Sequence, residues 1–486
     1  MELQRSLSNR HVQLIAIGGA IGTGLFMGSG KTISTAGPSV LLVYAIIGFV
    51  LFFIMRAMGE LLLSREGYHT FSDFIADILG PTAGFVVGWT YWLCWIVTAT
   101  AEVIAVAGYT HFWWPNLPLW IPALIMVGII FLLNSLTVKA FGETEFWFSL
   151  IKIAAIIALI IMGFVLAFSH FTSPDGTVAG VSNLWSDSRG NVSLFPHGIA
   201  GFFGGFQLAI FSFIGIELVG TTAGEAKDPH VTLPKAINSI PLRILLFYIL
   251  ALGAIMMVTP WYDVDPELSP FVNLFSLVGI TAAASVVNFV VITSAASSCN
   301  SGVYSTSRMA YALARNGQAP SGLAALSRRF IPEKSLMISC AILLTSIPLM
   351  ATGGTVMEVF TMVTSVSSLL FIFVWVMIVW AYLVYRHRRP ADHDTSGFTL
   401  PGGRVSAVGV LLFVVFLMVI LAQDFLTLMA IIFSFVWVGV IWIAATYVMR
   451  KGVGARVAHK HKAKVQAEYE EAAKYRASIS HLTQRH

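Results

Sequence analysis

Residues 17–32 read IGGAIGTGLFMGSGKT, six glycines in sixteen positions ending in Gly-Lys-Thr. Two soluble phosphate-binding motifs use glycine at this density. A Walker-type loop requires Gly-x-x-x-x-Gly-Lys-Ser/Thr, and counting back five from Gly30 lands on Leu25, one residue away from Gly24. A dinucleotide fingerprint requires Gly-x-Gly-x-x-Gly, whereas Gly22-Thr23-Gly24 is followed by Gly28, again one residue too far. Both motifs also need a preceding strand and a polar setting, and the flanks here are apolar. The glycines require a different explanation.

Composition supplies the setting. Of the 486 residues 57% are hydrophobic and 11% charged, with a mean hydropathy of +0.81, against roughly a quarter charged in soluble chains. A bilayer-spanning helix needs about 20 apolar residues. Twelve such runs are predicted, at roughly 12–36, 38–63, 82–112, 119–138, 146–170, 198–224, 240–260, 272–300, 336–353, 356–385, 406–423 and 426–449. The expected fold class is therefore an all-α membrane protein. The first run starts after Arg10 and lacks a small-residue cleavage site, so it reads as a retained span and not a signal peptide.

Lysine and arginine set the orientation. With the N-terminus inside, the inner loops carry fourteen (Arg65, Lys139, Lys227, Lys235, Arg243, Arg308, Arg315, Arg328, Arg329, Lys334, Arg386, Arg388, Arg389 and Arg404) and the outer side only Lys31 and Arg189. Both termini are thus expected in the cytoplasm. The net charge of +5 reports this topology, since no basic domain outside the tail could hold nucleic acid. The three cysteines, Cys94, Cys299 and Cys340, have unrelated spacings that suggest neither a disulfide framework nor a zinc site. They are expected to be free, buried thiols.

The polar outer stretch 171–197 separates the first five runs from the next five and reads as a link between halves. The expected organisation is a single transmembrane domain over 1–450, with one repeat at about 12–170, a second at about 198–385, two added helices at about 406–449, and a basic cytoplasmic tail at 451–486. MAYALARNG at 309–317 is expected as a short interfacial helix, and 387–404 as a loop broken by Pro and Gly. The tail, a solvated basic end, is expected near anionic lipid; its His459 and His461 are too sparse for a metal site.

Glycines in a transmembrane helix often serve only close packing, which accounts for Gly28 and Gly30. Gly18, Gly19, Gly22 and Gly24 crowd seven residues of the same run, and each glycine weakens a helix by about 1 kcal/mol relative to alanine. Many secondary transporters consist of inverted repeats whose leading helices are broken at the membrane centre. Bared N–H groups there hold a carboxylate, and bared carbonyls hold a cation. Such a protein needs a second break leading the second half. GGFQLAIFSFIGIELVGTTAGE at 204–225 supplies it, with Gly215 and an acidic Glu217 in apolar surroundings.

Ionisable residues within spans are costly and mark function by default. Glu217 lies in the second break, where its carboxyl either satisfies bared backbone groups or serves substrate or proton. Glu102 lies mid-span in VTATAEVIAVAG, and Lys152 in FWFSLIKIAAII. A buried lysine is pushed toward neutrality and can gain and lose a proton; the alternative is snorkelling to the inner interface. Arg56 and Glu60, four apart near the cytoplasmic end of their helix, read as a structural ion pair.

At these residues the chain resembles the amino acid permeases of the amino acid-polyamine-organocation (APC) superfamily, over roughly residues 10–390. The similarity is carried by IGGAIGTGLFMGSG, by RAMGEL at 56–61, by FSFIGIELVGTTAGEAKDP followed by LPKAIN, and by TSAASSCNSGVYSTSRMAYALARNG at 293–317. Within the superfamily the wording is most similar to bacterial D-serine/D-alanine/glycine permeases, through NSIPLRILLFYILAL, SPFVNLFSLVG and ASVVNFVVITSAASS. The resemblance implies a 5+5 inverted-repeat (LeuT-like) fold with broken helices 1 and 6 and two helices added. It implies that Ile21, Gly22, Thr23 and Gly24 contribute to the site, the amides around Thr23 and Gly24 receiving the substrate carboxylate. The substrate ammonium would meet carbonyls near Ala20, Phe211 and Ile214, with Phe211 closing over the pocket. A lysine like Lys152 stands where sodium-coupled relatives bind an ion, which favours protons. Glu102 falls where relatives carry Asp or Glu, a position suited to tuning substrate choice.

The expected function is proton-coupled symport of small neutral amino acids (D-serine, D-alanine, glycine) across the bacterial inner membrane. Substrate-binding residues would be Ala20, Ile21, Gly22, Thr23, Gly24, Phe211, Ile214 and Glu102; proton-coupling residues Lys152 and Glu217. The expected partners are a small amino acid, protons and the lipid bilayer. Exchange, or another specificity such as aromatic or L-amino acids, is the alternative. No cofactor is implied: the chain has no His-Glu-x-x-His, Gly-x-Ser-x-Gly or true Walker loop, and no polar stretch long enough for a catalytic domain.

Overall fold

The computed structural model describes residues 21–450, apart from 66–67, 69, 137, 175, 188, 222–228, 278–280, 328, 330, 353, 391–392 and 394–396. Expectations for Gly18, Gly19, Ala20, Lys227 and the tail from 451 lie outside the described residues. In chain order the helices are α1 (Thr23–Phe26), α2 (Gly28–Ala36), α3 (Val40–Leu63), α4 (Phe71–Leu79), α5 (Pro81–Thr110), α6 (Trp120–Asn134), α7 (Val138–Phe168), α8 (Gly198–Gly204), α9 (Phe206–Phe211), α10 (Leu218–Thr221), α11 (Pro229–Val258), α12 (Pro270–Leu277), α13 (Thr281–Arg315), α14 (Glu333–Leu343), α15 (Ser346–Met350), α16 (Val356–Arg388), α17 (Gly403–Leu421) and α18 (Phe425–Arg450). The fold is all-α. Among the described residues the β content is confined to two isolated bridges, Thr172 with Val178 and Ser186 with Val192, in the link between the halves.

Local chemistry places the helix ends. α4 opens with a capping box in which the Thr70 backbone N–H donates to Asp73 at 2.8 Å, a reciprocal satisfaction of orphan donors. Gly80, with φ of 105°, turns the chain from α4 into α5, whose first residue is Pro81, a position where proline's missing N–H costs nothing. α16 opens with a second capping box, Thr355 with Glu358, and closes on Arg386 and Arg388, cations at the negative end of the helix dipole.

Among the described residues each predicted apolar run is mainly helical. Among the described residues nine helical stretches are long and apolar enough to cross a membrane. Three of the expected twelve runs have no such stretch of their own. α6 has 15 residues, the run at 198–224 is divided among α8, α9 and α10, and the described part of the first run is α1 plus α2. α5 and α16 form the centre: 72% of the most apolar window of each is buried, against 28% for α17 and 22% for α18. The outer helices display Val405, Phe416, Val419, Phe435 and Ile443, an apolar surface that suits lipid and not water.

Three local expectations need correction. Residues 309–317 form no separate interfacial helix; α13 continues without a break to Arg315, and the chain turns away at Gly317, with φ of 68°. α11 begins at Pro229, about three turns before the predicted start, and tolerates Pro234 and Pro241 within it. α4 falls outside the predicted runs, and the run at 272–300 is shared between α12 and α13. The cysteines are free and buried as expected.

Candidate functional site: two helix breaks joined by buried polar groups

Ile21 and Gly22 are non-helical, and Gly22 is extended with φ of −116° and ψ of −159°. α1 then makes one turn, and Met27 links it to α2 through an N–H bond to Thr23 O at 2.7 Å. In the second half, residues 212–217 separate α9 from α10 as turns, and Gly215 adopts φ of 103°, a conformation that a side chain disfavours. The two breaks touch. A Cβ on Gly24 would fall 2.6 Å from Ser212 Cα and 3.0 Å from the Phe211 ring, so the chains meet backbone to backbone where both helices are open.

Open helix ends leave polar groups that a membrane interior cannot hydrate, and buried side chains take them up. The Ile21 carbonyl accepts from Lys152 Nζ at 3.1 Å and from Ser294 Oγ at 3.0 Å. The Ser212 carbonyl accepts from the Tyr248 hydroxyl at 2.5 Å, and Ser212 Oγ lies 3.0 Å from the Tyr44 hydroxyl. Glu217 Oε2 accepts from the Gly215 N–H at 3.1 Å, which is the backbone-satisfying role considered for it. Lys152 is fully buried and does not snorkel.

Glu102, also buried, faces Thr23 and Ser298. Its Oε1 and Ser298 Oγ stand 2.6 and 3.1 Å from where a Gly22 Cβ would be. Among the described residues, three buried polar atoms around the breaks have no hydrogen-bond partner: Thr23 Oγ1, Glu102 Oε2 and Glu217 Oε1. Unsatisfied buried polar atoms are rare in native proteins and need an explanation; a polar substrate supplies one.

Ile21, Gly22, Thr23, Gly24, Glu102, Lys152 and Phe211 are brought into one cluster. Phe211 and Ile214 are buried on the second break, and the Phe211 ring meets Phe360 edge-on at 5.7 Å. Glu217 stands apart from Lys152: the charged groups facing Lys152 are Glu145 and Glu102, while Glu217 faces Cys94 of α5. Arg56 and Glu60 also have separate partners. Arg56 donates to Asn238 Oδ1 at 2.8 Å and to the Thr399 carbonyl, and stacks on Phe398. Glu60 accepts from the Leu400 N–H at 2.6 Å and bonds His393. Lys31 is half-buried and donates to Thr361 at 3.3 Å, more enclosed than an outer-face charge.

Sequence reasoning missed Tyr44, Ser212, Tyr248, Glu145 and the serines of α13. The serines did carry a signal. Ser294, Ser297, Ser298 and Ser301 follow the i, i+3, i+4, i+7 spacing of one helix face, inside a run read only as apolar.

The family model for amino acid permeases matches residues 11–455. The chain belongs to the amino acid permease family. It is 55% identical over 435 residues to the D-serine/D-alanine/glycine transporter of Escherichia coli (strain K12), covering 90% of this chain and 92% of the relative. It is 49% identical to an amino-acid permease of Bacillus subtilis (strain 168), covering 90% and 93%. With a DL-alanine permease of Lactococcus lactis subsp. cremoris (strain MG1363) it shares 42% identity, covering 83% and 86%. These relatives are transporters and not enzymes, and this amino acid permease is a multi-pass membrane protein of the APC fold class.

Proposed function

We propose that this permease imports small neutral amino acids, with glycine, D-alanine and D-serine as its substrates, in symport with protons across the bacterial inner membrane, both termini cytoplasmic. The carrying observation is the meeting of two open helix breaks at Gly24 and Ser212, with the Lys152 amine on the carbonyl that the first break exposes. The substrate carboxylate takes the amides around Thr23 and Gly24, with the unpartnered Thr23 hydroxyl beside them. The ammonium takes carbonyls near Ala20, Phe211 and Ile214, with the free oxygen of Glu102 within the same cluster. Lys152 exchanges the coupled proton, and Glu217 holds the second break open. The two repeats take residues of about 12–170 and 198–385, as in inverted-repeat transporters generally. The choice of substrate rests on the name of the Escherichia coli relative.

Labelled glycine uptake into proteoliposomes tests this. Uptake should rise with an inward proton gradient and collapse with protonophore. D-alanine and D-serine should compete, and phenylalanine, lysine and GABA should not. Accumulation indifferent to protonophore sinks the coupling; competition by phenylalanine instead of D-serine sinks the substrate class.

A further inference from the structure

Glu145 is fully buried, two helical turns before Lys152 on α7, and the roles above make no use of it. With Ser149 it completes a buried polar face, Glu145, Ser149 and Lys152, at i, i+4 and i+7. This face meets the serine face of α13. Ser294 donates to the same Ile21 carbonyl as Lys152, while one turn further along α13 Ser297 donates to Glu145 Oε1. Asn300 Nδ2 donates to Glu145 Oε2 at 3.3 Å, and Asn134 Nδ2 of α6 holds Asn300 Oδ1 at 2.8 Å. Ser301, whose hydroxyl lacks a geometrically sound bond, also faces the carboxyl. Seven residues of helix separate Glu145 from Lys152 by about 10 Å along the axis, toward the α7 end that the lysine and arginine distribution places inside. One turn beyond, Phe141 stacks on Tyr304 at 3.9 Å, with Arg308 lying over the Tyr304 ring.

We infer that Glu145 is the inward proton relay of this transporter, receiving the coupled proton from Lys152 and passing it toward the cytoplasm along the hydroxyl face of α13. The inference rests on the proton-coupled reading above. The Lys152 ammonium loses an N–H bond and the Glu145 carboxylate gains an O–H bond, leaving a neutral amine and a carboxylic acid; Ser297 and Ser301 hydroxyls stand beside the receiving oxygens. The acid then loses its proton to cytoplasmic water when the Phe141–Tyr304 stack parts, and the amine takes the next proton from the outer side. The charged groups on this route are Lys152 on α7 itself, Glu102 facing it from α5, and Arg308 at the α13 end; the α13 and α6 side chains against the carboxyl are neutral. A purely structural Glu145 would need only to hold Ser297 and Asn300. Glutamine keeps the shape and can still accept from Ser297, loses the acceptance from Asn300, and cannot carry the proton; counterflow reads that structural loss separately from coupling.

The test compares wild type, Glu145→Gln and Glu145→Asp in proteoliposomes, reading gradient-driven glycine accumulation and gradient-free glycine counterflow. In Glu145→Gln, accumulation should fall on the order of a hundredfold, the low end of a positioned proton-transfer group's contribution, while counterflow persists. Glu145→Asp should keep coupling with a displaced pH profile. Wild-type accumulation by Glu145→Gln overturns the relay, as does equal loss of accumulation and counterflow in folded protein. Should the glutamine variant not reach the membrane, an aspartate variant with an unchanged pH profile overturns the relay and a displaced profile supports it. Protonophore-insensitive wild type would instead remove the coupled reading itself, whereas coupled wild type with coupled Glu145→Gln removes only the relay.

Discussion

Gly24 and Gly28 sit four residues apart and look alike in sequence, yet their surroundings make opposite predictions. A Cβ at Gly24 meets the Ser212 backbone at 2.6 and 2.8 Å, and neither chain has a flexible end to move aside. Gly24→Ala should therefore cost about 1–3 kcal/mol of overpacking and abolish glycine uptake, measured by melting in detergent and by transport. At Gly28 the nearest atom is Leu208 Cβ at 3.8 Å, so Gly28→Ala should be tolerated, with up to about 1 kcal/mol gained in helix propensity. Lys152→Ala should abolish concentrative uptake more than substrate binding; intact accumulation would remove its assigned role. Glu145 escaped sequence reading because GETEFWF looks like the polar entry of a helix. Only packing against Ser297 and Asn300 shows that the entry is already inside.

At the scale of elements, apolar length identified the spans, because a bilayer imposes a minimum run that few other settings require. The breaks were equally legible: glycine density marked one, and Gly215 beside Glu217 marked the other. The partners that hold the breaks open come from distant helices and left no local trace. Tyr248 of α11 donates to the Ser212 carbonyl, and nothing near residue 248 announces this. Tyr248→Phe should leave that acceptor buried and unsatisfied, destabilising the protein by about 1–3 kcal/mol and weakening uptake in a melting and transport comparison. The misread end of α13 has the same origin. Polar residues along 293–317 dilute the apolar signal, because this helix turns a polar face toward α7 and the first break, and a polar composition reads as the end of a span.

For the whole molecule, the face that carries α4 and the end of α16 is tied together by charge. Asp77 on α4 receives Arg389 at 2.9 Å, Arg65 at 3.2 Å and the Tyr68 hydroxyl, linking α4 to the end of α16. Partial burial alone would push its carboxyl up; the hydrogen bonds of Tyr68 and Arg389 and the charges of Arg389 and Arg65 outweigh it and hold the carboxyl below the usual aspartate range. Since the folded value is depressed, the stability it contributes is present above the ordinary aspartate range and is lost as pH falls through the folded value. Asp77→Asn should lower the melting temperature at neutral pH and flatten its fall in acid. Identical acid limbs would show that this tie contributes nothing, as many solvent-exposed pairs do.

The sequence by itself determined that the chain lives in a membrane, how many spans it has, which helices are broken and which family it resembles. All of these depend on local composition or on short motifs, and the bilayer makes local composition unusually informative by forbidding unsatisfied backbone. The tertiary structure alone decided which groups answer the exposed backbone: Lys152 and Ser294 at Ile21, Tyr44 and Tyr248 at Ser212, and Glu217 at its own break. It also separated Glu217 from Lys152 and gave the lysine Glu145 as a neighbour. Helices apolar all round carry little directional signal. Which of their few polar side chains meet is therefore fixed by packing between segments far apart in the chain.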